Sequence, residues 1–319
     1  MVARFSYSFA KIAIGDPDVQ RRHALKKALQ ENGYSDIFDS GDFALIHKSV
    51  ALGGVDLLIC NNCIGDDDDG KGDMCDLVHK MRHKEIGRNP FVVVIALIDA
   101  PTQSMVKRVI DAGVDDLVVR PFTTAQLLDR IAILARGRKP FVVTHNYIGP
   151  DRRTQRRAPD PNDPIPLDVP NPLRLKAANR MDPAQMQGII DAAAAQVNEH
   201  KMERHSLQIR YLIDRIATAH GADGNKDTLA TAQAQLLYAA EDLSRRLRGT
   251  RFAHVAELAM SLVGLVLRIQ GAGEIPNQRD LDLLPKLGQA IERAFRPTGS
   301  VATTALEISS SLEHLTKQS

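Results

Sequence analysis

Val55-Asp56-Leu57-Leu58-Ile59-Cys60-Asn61 is a short, nearly unbroken apolar run closed by a polar residue. A run of this length that is apolar at successive positions, rather than at alternate ones, reads as a strand buried on both faces, as in a parallel sheet. Similar runs lie at 12–14, 37–38, 91–97 and 117–119, bounded by Gly, Asp or Pro. Helical patterns fill the intervals at 19–32, 41–52, 74–85, 102–112 and 124–136. Alternation of this kind predicts an α/β domain over residues 1–140, doubly wound around a five-stranded parallel sheet. Function in such a sheet gathers at the carboxyl ends of its strands.

The pattern changes twice further along. Residues 141–182 are rich in proline, which excludes helix interiors and favours extended backbone. The 141–180 portion carries 7 basic groups against 4 acidic ones. This stretch is expected to be a basic tether. From 183 to 319 the spacing is helical throughout. Phe252, Val255, Ala259, Leu262, Val266 and Ile269 follow 3- and 4-residue steps, as do Leu229, Ala232, Leu236, Ala240, Leu243 and Leu247. Leu284, Leu287 and Ile291 make a third stripe, and Val301, Ala305, Ile308, Leu312 and Leu315 a fourth. Each leaves one apolar face to cover, so an all-α bundle of about five helices is predicted. The first of these, at 183–220, is long. Its stripe of Met186, Ile190, Ala193 and Val197 either folds back onto the chain's own bundle or meets a second copy in a homodimer.

Length and composition bound the rest. The chain has 319 residues, 44% hydrophobic and 25% charged, the mix of folded globular domains. No run approaches the roughly 18 uninterrupted apolar residues of a membrane span, and no secretory leader is read at the N-terminus. Three cysteines, Cys60, Cys63 and Cys75, fit a reducing compartment, so a cytoplasmic location is expected. A formal charge of +2 gives no strong electrostatic case for nucleic acid.

Several landmarks in residues 10–136 keep their spacing together. Asp16-Pro17-Asp18 follows the first strand. Asn61 closes the third, 45 residues after Asp16. Ala112-Gly113-Val114-Asp115-Asp116 leads into Val119-Arg120-Pro121-Phe122 at the fifth. This segment resembles the receiver domain of two-component response regulators, whose fold is flavodoxin-like. The resemblance implies a bacterial signalling protein acting with histidine kinases, phosphotransfer proteins or other regulators. In that family a divalent cation held by carboxylates after the first strand helps an acceptor aspartate take a phosphoryl group. A Thr or Ser ending the fourth strand and a Lys ending the fifth contact that group, and an aromatic side chain in the fifth strand turns inward. The face formed by the fourth helix, fifth strand and fifth helix, about 102–136, is the family's usual docking surface.

Carried over position by position, most of that chemistry is missing. The acid pair becomes Asp16 and Pro17, with Asp18 one residue further on. The acceptor position is Asn61, whose neutral amide is a far poorer nucleophile than a carboxylate. The hydroxyl position is Ile98, the lysine position Arg120 and the aromatic position Leu117. Arg120 keeps the charge without the compact ammonium. Asp16 alone remains as a candidate metal ligand, so Mg²⁺ is expected to bind weakly or not at all and no cofactor is expected. The expectation is a receiver-like module without aspartyl phosphorylation, not an enzyme, working by protein contact. Asn61 would mimic an acceptor that is permanently unphosphorylated.

Other constellations are weighed against plainer explanations. A working phosphorelay regulator would need a substitute acceptor. The run Asp66-Asp67-Asp68-Asp69 reads more simply as a solvated loop. Cys60 and Cys63 have CxxC spacing, and Cys75, His79 and His83 share a helical face, but core packing explains them better than zinc or redox chemistry. His200, His205, His220, His254 and His314 lack the neighbours of phosphotransfer histidines and are expected to be ordinary. Arg152, Arg153, Arg156 and Arg157 form a basic knot, but no recognition helix and no interleaved aromatic residues accompany it. A DNA-binding regulator is therefore the weaker alternative.

Overall fold

The computed structural model describes residues 9–62, 72–153, 163–177, 182–221, 226–272 and 276–295, with side chains omitted at 220–221 and 226–228. The chain divides into two compact units, Met1–Val197 and Asn198–Ser319.

The first unit opens with five parallel strands: β1 (Lys11–Gly15), β2 (Asp36–Ser40), β3 (Leu57–Asn61), β4 (Val93–Ile98) and β5 (Asp116–Val119). Their order is β2-β1-β3-β4-β5, the doubly wound arrangement of flavodoxin and receiver domains. The connecting helices are α1 (Val19–Glu31), α2 (Phe43–Ala51), α3 (Met74–Arg82), α4 (Gln103–Asp111) and α5 (Thr124–Arg136). Each starts at a side-chain cap, Asp18, Asp42, Asp73, Thr102 or Thr123, which accepts from an otherwise unpaired N–H of the first turn.

Every residue of β3 and β4 is buried, and alternation sends them to opposite faces. Leu57 and Ile59, with Ile95 and Leu97, pack under Leu29 of α1 and Leu127 and Ile131 of α5. Leu58 and Cys60, with Val94, Ala96 and Ile98, pack under α2, α3 and α4 through Ile46, Val50, Leu77, Met81 and Val109. Each fully buried aliphatic side chain here contributes roughly 1.5–3 kcal/mol. The predicted strands and helices of residues 10–136 are all present.

Within the stretch expected to be a tether, the described residues 141–153 and 163–177 carry short elements. β6 (Phe141–Val143) pairs antiparallel with β7 (Ile148–Pro150), and Phe141 also bridges Leu167. α6 (Pro172–Ala177) sets Leu173 into the same core layer as α1 and α5, and Asn171 Nδ2 donates to Leu134 O at 2.6 Å. The prolines do exclude long elements, as expected. What holds the segment is non-local: guanidinium groups on backbone carbonyls. Arg138 donates to Phe91 O (2.6 Å) and Pro170 O (3.1 Å), and Arg152 to Val114 O (2.5 Å) and Asp115 O (3.1 Å). Gly113 explains the close fit, because its backbone has φ +92° and an added Cβ would lie 2.5 Å from Ile148 O.

α7 (Pro183–Gly221) is 39 residues long. Its stripe of Ile190, Ala194 and Val197 is covered by Phe91, Phe141, Val143, Ile148 and Leu167. The expectation that this stripe folds back onto the helical bundle is corrected: its cover lies in the first unit. The two compact units divide within α7, at 197/198.

The second unit is helical. The remainder of α7 packs with α8 (Lys226–Leu247), a 3-10 turn at Ala253–Val255, α9 (Ala256–Gly271) and α10 (Gln278–Phe295). Ile209, Ile213, Leu236, Leu243, Leu262, Val266, Leu284 and Ile291 meet in one core. The expected helix over the 301–315 stripe lies outside the described residues. Ala253–Gly271 is long and apolar enough by length and composition to cross a membrane. Ala259, Leu262, Leu265, Val266 and Ile269 of this helix are buried in the bundle core, while Met260 and Leu267 are exposed.

Candidate functional site

The carboxyl ends of β1, β3, β4 and β5 converge where the strand order reverses, between β1 and β3, the usual ligand position of such sheets. Asp16 follows β1 directly and is buried. Its Oδ1 accepts from Asp18 N–H at 2.9 Å. Asn61 ends β3 and is also buried. Arg120 follows β5 and reaches back across the sheet end. One of its amino groups donates to Asp16 Oδ2 at 2.5 Å, and the other donates to both carboxylate oxygens of Asp99 at 3.2 and 3.3 Å. Asn61 Nδ2 donates to Asp99 Oδ2 at 3.0 Å. Arg21 of α1 donates to the same carboxylate at 3.2 Å from the outer side.

Asp99 is the residue that sequence reasoning missed. It lies one position beyond β4, next to Ile98, and is half exposed at the mouth of the pocket. Burial acts to raise its pKa. The hydrogen bonds from Asn61 and Arg120 and the charges of Arg120 and Arg21 outweigh that, holding Asp99 below the usual carboxylate range. The available signal was a charged residue at a strand's carboxyl end, beside the position occupied by Ile98.

The structure thus gathers Asp16, Asn61 and Arg120 around Asp99. Ile98 instead points into the core beneath α2, α3 and α4, and Leu117 packs partly against the same core. Pro17 contributes only its carbonyl, which accepts from Arg22 at 3.1 Å. Asp18 is turned to its own helix. Its Oδ1 accepts from Gln20 N–H (2.8 Å) and Arg21 N–H (3.1 Å), and the Arg21 backbone bond is the leading cause of its lowered pKa.

A divalent cation, which the receiver fold implies, does not fit this donor set. Such an ion wants several charged oxygens. Here both Asp16 oxygens are already engaged, Asp18 caps α1, Pro17 has no carboxylate, and Asn61 turns an N–H toward Asp99. Among the described residues, no group of three or more His, Cys, Asp or Glu side chains is placed to hold a metal ion.

The remaining candidates resolve individually. Cys60 is fully buried, and burial pushes its thiol well above the ordinary value, away from reactive thiolate. Cys63 and Asp66, Asp67, Asp68 and Asp69 lie outside the described residues. Cys75 lies in the core, while His79 and His83 stack with ring centroids 4.0 Å apart. His205 is buried in the bundle, its Nε2 2.7 Å from Asp242 Oδ2. His200 lies 3.7 Å from Glu203, and His254 is exposed. The side chain of His220 and all of His314 are outside the described residues. Of the basic knot, Arg152 is spent on carbonyls and Arg153 pairs with Asp151, while Arg156 and Arg157 are not among the described residues.

No protein-family model matches the sequence, and no curated protein matches it. Solved structures similar to it include receiver domains. A CheY-like response-regulator receiver from Methanospirillum hungatei is 19% identical, covering 40% of this chain and 93% of its own, with TM-score 0.35. A two-component response regulator from Clostridium difficile is 20% identical over 40% of this chain and 96% of its own, TM-score 0.35. A Francisella response-regulator receiver domain is 19% identical over 39% and 94%, TM-score 0.34. The strand order of the N-terminal 40% of the chain, β2-β1-β3-β4-β5, is by itself the flavodoxin-like doubly wound order that receiver domains share.

Proposed function

We propose that this chain is a bacterial, cytoplasmic signalling protein of the response-regulator kind whose receiver-like domain acts through protein contact, without an aspartyl phosphate. One observation carries the reading. The acceptor position holds Asn61, and its amide is tied to Asp99 by a 3.0 Å hydrogen bond. An amide there supplies no carboxylate nucleophile for phosphoryl transfer. The partners are signalling proteins, namely a histidine kinase, a phosphotransfer protein or another regulator. They would dock on the face formed by α4, β5 and α5. The protein is a binding module rather than an enzyme.

Incubation of the full chain with acetyl phosphate and Mg²⁺, followed by intact-mass analysis, tests this. The expected result is no mass gain. A stable gain of one phosphate, mapped to an aspartate, would favour the phosphorelay alternative and end the proposal.

A further inference from the structure

We infer that Arg120 is the resident cation of the sheet-end pocket, and that Asp99 is the ligand that holds it there. The inference rests on the reading of the first unit as a receiver-like module and concerns what fills the seat of that fold's metal ion. The guanidinium bridges two carboxylates from different strand ends, Asp16 after β1 and Asp99 after β4, with one amino group on each. Its side chain is mostly buried, and it passes over the Phe122 ring with 5.7 Å between its central carbon and the centroid. A planar fork with fixed donors suits this bridging, which a lysine ammonium at the same position would serve only as a point charge.

The charge count makes the role specific. Asp16 and Asp99 bring two negative charges to one strand-end cleft. In a metal-dependent receiver a divalent ion would compensate carboxylates there. Here Arg120 supplies a positive charge from within the chain, and Arg21 adds a second at the outer edge. The cation is covalently attached, so it cannot be removed by chelation, and it shields Asp16 from any ion in solution.

The experiment is a Mn²⁺ titration of the full chain by electron paramagnetic resonance, with thermal unfolding in Mg²⁺ as a second readout. The wild-type chain is expected to bind no Mn²⁺ at the pocket and to melt at the same temperature with and without Mg²⁺. Arg120→Ala unmasks the two carboxylates. It is expected to bind Mn²⁺ at least about tenfold more tightly than the wild type, and to recover part of its lost melting temperature when Mg²⁺ is added. Arg120→Ala combined with Asp16→Asn should lose both gains. If Arg120→Ala does not fold, Arg120→Gln keeps much of the stem while removing the charge, and the same gains are expected. Equal Mn²⁺ binding by wild type and variant, or binding by neither, overturns the inference. Phosphate uptake by the wild type from acetyl phosphate would end the proposed function. The Mn²⁺ titration would still decide the occupant of the seat.

Discussion

Asp115→Ala should destabilise the first unit severely, while the same change at its neighbour Asp116 should barely register. Asp115 immediately precedes β5, and its side chain is buried. It accepts from Arg82 Nη2 (3.0 Å), Arg138 Nε (2.7 Å), Arg138 Nη2 (2.9 Å) and the backbone N–H of Val94 (2.9 Å). Both guanidiniums are almost fully buried, and both pass over the Phe141 ring, at 5.2 and 4.4 Å from its centroid. Burial, with the charge of Arg138 adding to it, lowers the pKa of Arg82 to about 10, against the support of Asp115. Removing the carboxylate leaves two buried cations facing each other. Breaking a buried pair in this way costs about 3–5 kcal/mol. For a unit of this size each kcal/mol moves the melting temperature by roughly 2–4 °C, so a fall of roughly 6–20 °C is expected. Asp116 meets Arg130 at 3.4 Å in a pair with its arginine more than half exposed, and Asp116→Ala should cost under about 1 kcal/mol. Thermal and urea unfolding followed by circular dichroism distinguishes the two, because no tryptophan is present to report by fluorescence. A melting temperature for Asp115→Ala within about 2 °C of wild type, or an equal loss for Asp116→Ala, would refute the reasoning.

Two more outcomes can be checked. Ile190 is covered within its own unit, so Ile190→Ala should cost about 2–5 kcal/mol without changing the mass found by light scattering; a change of mass with unchanged stability would show an intermolecular seam instead. In the bundle, burial depresses the pKa of His205, and the charges of Lys201 and Arg246 add to it, against the hydrogen bond and charge of Asp242. The unfolded chain then takes up the proton more readily than the folded one, so stability is full above about pH 6.5 and falls as the pH drops below it. Asp242 is held well below the carboxylate range although its burial alone would raise it, because His205 and Arg246 bind it. Its contribution has the same sign and fades at still lower pH. Melting curves of wild type and His205→Gln from pH 7.5 to 5 test the first step, and equal slopes for the two would remove it.

The legible and illegible parts of this chain separate on physical grounds. β3 was readable because burial on both faces leaves an apolar run that needs no partner to be recognised. Asp16, Asn61 and Arg120 were readable as a group because the receiver resemblance fixes their separations along the chain. Asp99 was not, because its role arises only when the ends of β4 and β5 lie side by side. The short elements in the described parts of 141–182 were not legible, because the anchors Arg138 and Arg152 bind backbone carbonyls that leave no periodic signal. The stripe of Met186, Ile190, Ala193 and Val197 showed that a face must be covered, but an amphipathic pattern never says by what.

The same device operates at both ends of the sheet. Arg120 bridges carboxylates at the carboxyl end, and Arg82 with Arg138 shares one carboxylate at the amino end. A receiver changes state when a phosphoryl group alters the charge in its pocket. In this chain Arg120, a group that cannot leave, already lies against the pocket carboxylates Asp16 and Asp99. On the proposed function, a shift between conformations would come from a partner that binds one of them better, and its size would be set by that difference in affinity. To move a population from one part in a hundred to ninety-nine, a partner would need about 5.5 kcal/mol of preference, within reach of a protein interface of ordinary size.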